Sequence, residues 1–232
     1  MPRLRHLAAC LVALLAALAL PLTTGCIGTP QPDPPSVTPE GIDIAGIDRG
    51  MRRVLVGAPG TVTSGVDATV WGVDLDAPSQ PLVSAAVARD GSFVLPVEID
   101  EGDVLRVWVE NASGASPPID LRVVGFDLER VVDALPCLTM PLSERVDGAS
   151  SIVLESSCEL DVTIDDVSLR APIDAFAIDG VPALVVAGGD ATIDVAFTGI
   201  TPPPPARAVE VLLVTIGAGG VTERRAVTLF AP

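Results

Sequence analysis

Val87-Ala88-Arg89-Asp90-Gly91-Ser92-Phe93-Val94-Leu95 is the stretch that decides the fold. Apolar residues stand on both sides of an Asp-Gly pair, and glycine accepts the positive φ of a tight turn, so the segment reads as a hairpin. The same pattern extends on both sides of it. Arg53 to Val56, Ala68 to Leu75, Val83 to Ala88, Ser92 to Val97, Val104 to Val109 and Ile119 to Val124 are short apolar runs broken by Gly, Pro and Asp. No window keeps a helical period, and Val, Ile and Thr dominate, so strands are expected. Their spacing, roughly 8 to 14 residues with turn signals between, predicts an all-β sandwich.

After Gly125 the pattern restarts with Leu128 to Val132, Leu138 to Leu142, Ile152 to Leu154, Leu160 to Leu169, Phe176 to Ile178, Ala191 to Phe197, Val209 to Ile216 and Val221 to Phe230. The expected organisation is a leader over 1–25, a tether over 26–50, one sandwich over 51–125 and a second over 126–232. The turns Gly57-Ala58-Pro59-Gly60, Asp90-Gly91-Ser92-Phe93, Glu101-Gly102-Asp103 and Asn111 to Ser116 follow the order seen in bacterial immunoglobulin-like surface domains, which residues 51–125 resemble. The run Leu154-Glu155-Ser156-Ser157-Cys158-Glu159-Leu160-Asp161-Val162-Thr163-Ile164 is similar to the ASH and choice-of-anchor D type of immunoglobulin-like domain. Ala175-Phe176-Ala177-Ile178 and Gly188 to Phe197 fall in the same family's order. The resemblance implies two tandem immunoglobulin-like sandwiches. Turn signatures speak to fold and are silent on ligand.

Ahead of these domains, Arg3, Arg5 and His6 precede an apolar run from Leu7 to Leu20 that closes in Leu22-Thr23-Thr24-Gly25-Cys26. The run is short of the roughly 20 residues that span a bilayer and suits the core of a cleaved signal peptide. A basic start, a short apolar core and a small residue before Cys resembles a bacterial lipoprotein signal. The resemblance implies cleavage after Gly25 and acyl chains on Cys26, palmitate among them. Three chains, the family's number, anchor a protein far more firmly than one. Thr23 stands where the family usually has an aliphatic residue, and an ordinary cleavage site beside an incidental Cys26 is the alternative. Ile27 follows the Cys where Asp would mark inner-membrane retention, which favours the outer membrane. Pro30, Pro32, Pro34, Pro35 and Pro39 make the next stretch a spacer, extended at about 3.1 Å per residue. Residues 41–50 fit either the end of that spacer or a first edge strand.

Arg3 and Arg5 leave with the leader, so the 14 cations fall to 12 against 30 acids, a net charge of −18. Nucleic acid and anionic lipid headgroups are poor partners for that surface. Of the 4 cysteines, Cys10 departs with the leader and Cys26 is the lipidation candidate. Cys137 and Cys158 remain, and an exported context makes them a disulfide, with a two-Cys metal site as the rival. No His or further Cys of the mature chain would complete such a site. With no His, no Lys and no free thiol beyond Cys26 in the mature chain, the usual means of activating a nucleophile are missing, and catalysis is not expected.

Acidic turns recur: Asp74 with Asp76, Glu98 with Asp100, Glu101 and Asp103, and Asp161 with Asp165 and Asp166. Calcium takes six to eight oxygens from such groups, and Glu98, Asp100, Glu101 and Asp103 are the candidates; solvated surface turns explain the same residues. Alternation along Val104 to Val109 sets Leu105, Val107 and Val109 on one face and Arg106, Trp108 and Glu110 on the other. Trp108 is therefore a candidate exposed contact, with a Trp covered by a neighbouring loop as the commoner alternative. Pro202 to Pro205 must lie outside any sheet, because proline donates nothing to a ladder. The expectation for function is a non-catalytic, lipid-anchored envelope protein that binds or scaffolds a protein or glycan. A calcium-dependent adhesin, or an accessory subunit of a secretion or polysaccharide assembly, is the alternative.

Overall fold

The structure, a computed structural model, describes residues 33–47, 52–170, 174–200 and 208–231. Among them are twenty strands, a 3-10 turn at Pro39–Gly41 and no α-helix. The leader, Cys26 and Pro202 to Pro205 lie outside the described residues.

The first half holds β1 (Ser36–Val37), β2 (Ile42–Ile47), β3 (Arg52–Gly57), β4 (Val62–Thr63), β5 (Thr69–Asp74), β6 (Val83–Ala86), β7 (Phe93–Leu95), β8 (Val104–Asn111), β9 (Gly114–Ala115), β10 (Ile119–Val124) and β11 (Asp127–Arg130). One sheet runs β2-β3-β7 and the other β11-β10-β8-β5-β6, with β9 on β8 and a short β1-β4 pair beside them. Val70, Leu105, Val107 and Val109 from one sheet meet Leu55, Phe93 and Leu95 from the other in the first core. Two expectations change here. Ser36–Val37, placed in the spacer, pairs with β4, and Ile42–Ile47, within the 26–50 tether but open between spacer and edge strand, is an edge strand on β3, because Pro39 only turns the chain between two sequences of good strand character. The boundary drawn at residue 125 falls inside a hairpin, since β11 pairs with β10 through Leu121↔Arg130 to Val124↔Asp127.

The Asp90-Gly91 turn forms as expected but joins no hairpin. Gly91 has φ 83°. A Cβ there would meet the Val62 carbonyl at 2.3 Å. The chain entering the turn belongs to β6, which pairs with β5, whereas β7 leaves it to pair with β3. The turn crosses between the two sheets of the sandwich.

The second half holds β12 (Leu138–Thr139), β13 (Ser143–Arg145), β14 (Ala149–Ser156), β15 (Val162–Leu169), β16 (Phe176–Gly180), β17 (Leu184–Val185), β18 (Asp190–Phe197), β19 (Val209–Ala218) and β20 (Val221–Phe230). Its sheets run β12-β14-β18-β16 and β13-β20-β19-β15-β17. Lettered A to G along the chain, that is A-B-E-D facing G-F-C, the immunoglobulin-like arrangement. The opening strand divides between the sheets, and β13 runs parallel to β20. The first half repeats the plan as β2-β3-β7 facing β10-β8-β5. The chain is an all-β protein built of immunoglobulin-like sandwiches. Cys137 and Cys158 form a disulfide that ties the approach to β12 to the end of β14, alongside a Ser157 N–H donated to the Cys137 carbonyl at 2.8 Å.

Candidate functional site

Strands buried on one face alternate in sequence; strands buried on both do not. β8 is buried without interruption from Val104 to Val109, and β19 from Val209 to Val214. Odd residues of β8 enter the first core, and even residues of β19 (Leu212, Val214, Ile216) enter the second. The remaining faces meet each other. Val73, Leu75, Val104 and Trp108 of the first half form a third core with Val209, Val211, Leu213 and Ala226 of the second, with Trp71 and Phe230 against it.

This seam corrects the expectation for Trp108. The alternation was read correctly, but the face it defines is covered by β19 and β20, and Trp108 is 0% exposed. It stands opposite Trp71 across the β5-β8 ladder, the rings 6.3 Å apart and inclined by 10°. Phe230 presents an edge to Trp108 at 6.1 Å. Trp108 is a contact residue, and its partner is the same chain.

Three arginines cross the seam. Arg106, on the same face as Trp108, holds Asp120 with Nε at 2.7 Å and Nη2 at 2.8 Å, then donates Nη1 to Thr228 Oγ1 at 3.2 Å and to the Leu142 carbonyl at 3.3 Å. Arg170, just past β15, returns the contact: Nε donates to the Asp74 carbonyl at 2.5 Å and Nη2 to those of Ala77 and Gln80 at 2.6 and 2.7 Å. Burial lowers the Arg170 pKa from its ordinary value, opposed by the charges of Glu210 and Asp74. Arg224 of β20 pairs with Asp76. The Arg224–Asp76 pair, with Asp120, Arg122 and Glu223, lines a mixed-charge cleft of about 440 Å³.

The acidic residues sort differently from the sequence expectation. Glu98 and Asp100 are exposed. Glu101 is exposed too, and its carboxylate accepts the Gly125 N–H. Asp103, whose carboxylate accepts the Asp100 N–H, also joins Asp74 and Asp76, one carboxylate oxygen from each of these residues lying within 4.8 Å of the others. The ladder explains this: Asp74 pairs with Leu105. The Leu75 N–H reaches the Val104 carbonyl at 2.8 Å, which continues the register and brings Asp76 opposite Asp103. Asp74 Oδ1 accepts the Asp76 N–H at 2.8 Å, Asp76 Oδ2 that of Val104 at 2.8 Å, and Asp103 Oδ2 that of Asp100 at 2.7 Å. Asp74 Oδ2 is buried without a hydrogen-bond partner. Burial pushes the Asp74 carboxyl up to about 6, against the pull of the Asp76 N–H, and the neighbouring Asp103 and Asp76 add to the rise. Asp161 and Asp166 bond instead to the Ala187 N–H and the Ser168 hydroxyl. Sequence reading flagged Asp74 and Asp76 as a turn but missed their union with Asp103, and it missed Arg170 and Arg224 altogether.

No family model and no curated protein matches the chain. Among solved structures, a Vibrio cholerae protease, VesB, is similar at TM-score 0.36 and 6% identity, over 71% of this chain and 62% of its own. A Porphyromonas gingivalis protein of unknown function is similar at TM-score 0.31 and 13% identity, over 86% and 99%. An ASH / PapD-like domain of human CEP192 follows at TM-score 0.28 and 12% identity, over 46% and 96%. At these scores the matches carry no argument about activity, and the fold rests on the strand order itself.

Proposed function

We propose that this chain is a non-catalytic envelope lipoprotein, anchored to the outer membrane through acyl chains on Cys26, whose two sandwiches bind or scaffold a protein or glycan. The second sandwich is read as an ASH-type domain. The observation that carries the binding reading is the seam. With both faces of β8 and β19 buried, the two sandwiches are packed against each other through a shared core, which suits holding a partner in a fixed setting. Support for the anchor is the basic, apolar and Gly25-Cys26 order of the leader. Labelling growing cells with an alkyne-bearing palmitate analogue, followed by mass spectrometry of the amino-terminal peptide, tests it. The expected result is an acylated Cys26 as first residue, with Cys26→Ala releasing the protein from the membrane fraction. A labelled membrane fraction lacking this protein, or an unmodified Cys26 thiol, overturns it.

A further inference from the structure

Three carboxylates drawn together at the end of one ladder repel, so something must compensate them. Asp74, Asp76 and Asp103 converge where β5 ends and β8 begins. Arg224 compensates only Asp76. Arg170, the next cation, spends three N–H groups on the backbone carbonyls of Asp74, Ala77 and Gln80. Asp74 is 1% exposed, and its Oδ2 has no hydrogen-bond partner, although a buried carboxylate oxygen without a partner is costly. Asp103 stands beside it. A proton shared between the two carboxyls, or a cation, would satisfy that oxygen.

We propose that Asp74, Asp76 and Asp103 bind a calcium ion beside the seam. The donor set is all oxygen, which selects a hard cation over zinc or copper. The three residues come from two strand ends and a loop, and Asp76 borders the open cleft. That leaves positions for water and suits the flexible six- to eight-fold shell of calcium better than the strict octahedron of magnesium. Arg224 on Asp76 offsets part of the site's charge, so the affinity expected is that of extracellular modules, on the order of 10⁻⁴ to 10⁻³ M. The ion joins the β5-β6 loop to the start of β8, and Asp76 extends that tie to β20 through Arg224. Neither this proposal nor that of the lipid anchor depends on the other.

The test is calorimetric titration of the full chain, purified in detergent and stripped with a chelator, with calcium chloride and then magnesium chloride, alongside thermal unfolding. Expected are one calcium site, a rise in Tm with calcium, and a weaker response to magnesium. Asp103→Asn should weaken calcium binding at least about tenfold by removing one anionic ligand. Asp74→Asn should do the same while unfolding at a higher temperature than wild type in chelator at neutral pH, because it relieves the repulsion. Paired Glu98→Gln and Asp100→Asn substitutions should leave binding unchanged. Absence of calcium heat and of any Tm shift at millimolar calcium overturns the proposal. So does binding that survives Asp103→Asn but is lost with the Glu98 and Asp100 pair. If Asp74→Asn fails to fold, Asp103→Asn still decides.

Discussion

The two halves share one strand plan and hold themselves together by different means. The second closes its sheets over a core running from Leu135 to Ala231 and adds the Cys137–Cys158 disulfide. The first has no disulfide, and the outer face of its larger sheet, with Trp71 and Trp108, is finished only by β19 and β20. A half that carries its own staple can lend a face, whereas a half with an apolar outer face must borrow one. The seam is therefore part of the first sandwich's stability.

Trp108→Ala breaks the asymmetry most severely. Truncating a fully buried indole costs about 3–5 kcal/mol, and chemical denaturation should show the midpoint falling accordingly. Reducing the disulfide removes a closure with 20 residues between its ends, worth about 3 kcal/mol in the chain-entropy account; unfolding with and without reductant measures it. Arg170→Met leaves three backbone carbonyls of the first half, at the end of β5 and in the loop after it, without their donor and should cost about 2 kcal/mol, with faster amide exchange confined to residues 74–82 if the clamp is local.

Acidity sharpens the same contrast. In chelator, the folded Asp74 pKa of about 6 exceeds its ordinary 3.8. The folded chain therefore holds the proton more tightly than the unfolded one, and this group's stabilisation is full below about pH 4 and is lost as pH rises through 6. Wild type should lose on the order of 2 kcal/mol relative to Asp74→Asn between pH 4 and 7, read as the difference of their denaturation curves. The smallest effect belongs to the surface. Phe126, 72% exposed under the Arg53 guanidinium at 4.8 Å, should cost less than about 1 kcal/mol as Phe126→Ser.

Strand positions were legible because Val and Ile alternate against turn residues, and β5, β8, β14, β18, β19 and β20 fall where the apolar runs put them. What local pattern cannot convey is which sheet a strand joins. The Asp90-Gly91 turn is right in place and chemistry, yet β6 and β7 part to opposite sheets, a choice made by cores that lie far off in sequence. Trp108 failed for a related reason: alternation assigns a face but not its cover. The signal that could have helped lies in Val209 to Ile216, too apolar on both faces for a strand with one side in water. The acidic site needed the Asp74↔Leu105 register, since Asp76 and Asp103 are neighbours only once β5 and β8 are aligned.

Both tryptophans of the chain, Trp71 and Trp108, lie at the seam, so intrinsic fluorescence reports on that region alone. Equilibrium denaturation followed in parallel by tryptophan emission and far-ultraviolet circular dichroism is the most direct measurement. The account predicts blue-shifted native emission, poorly quenched by acrylamide, and one midpoint common to both signals. Native emission at the wavelength of free tryptophan, or a fluorescence transition completed before the strand signal changes, would contradict it.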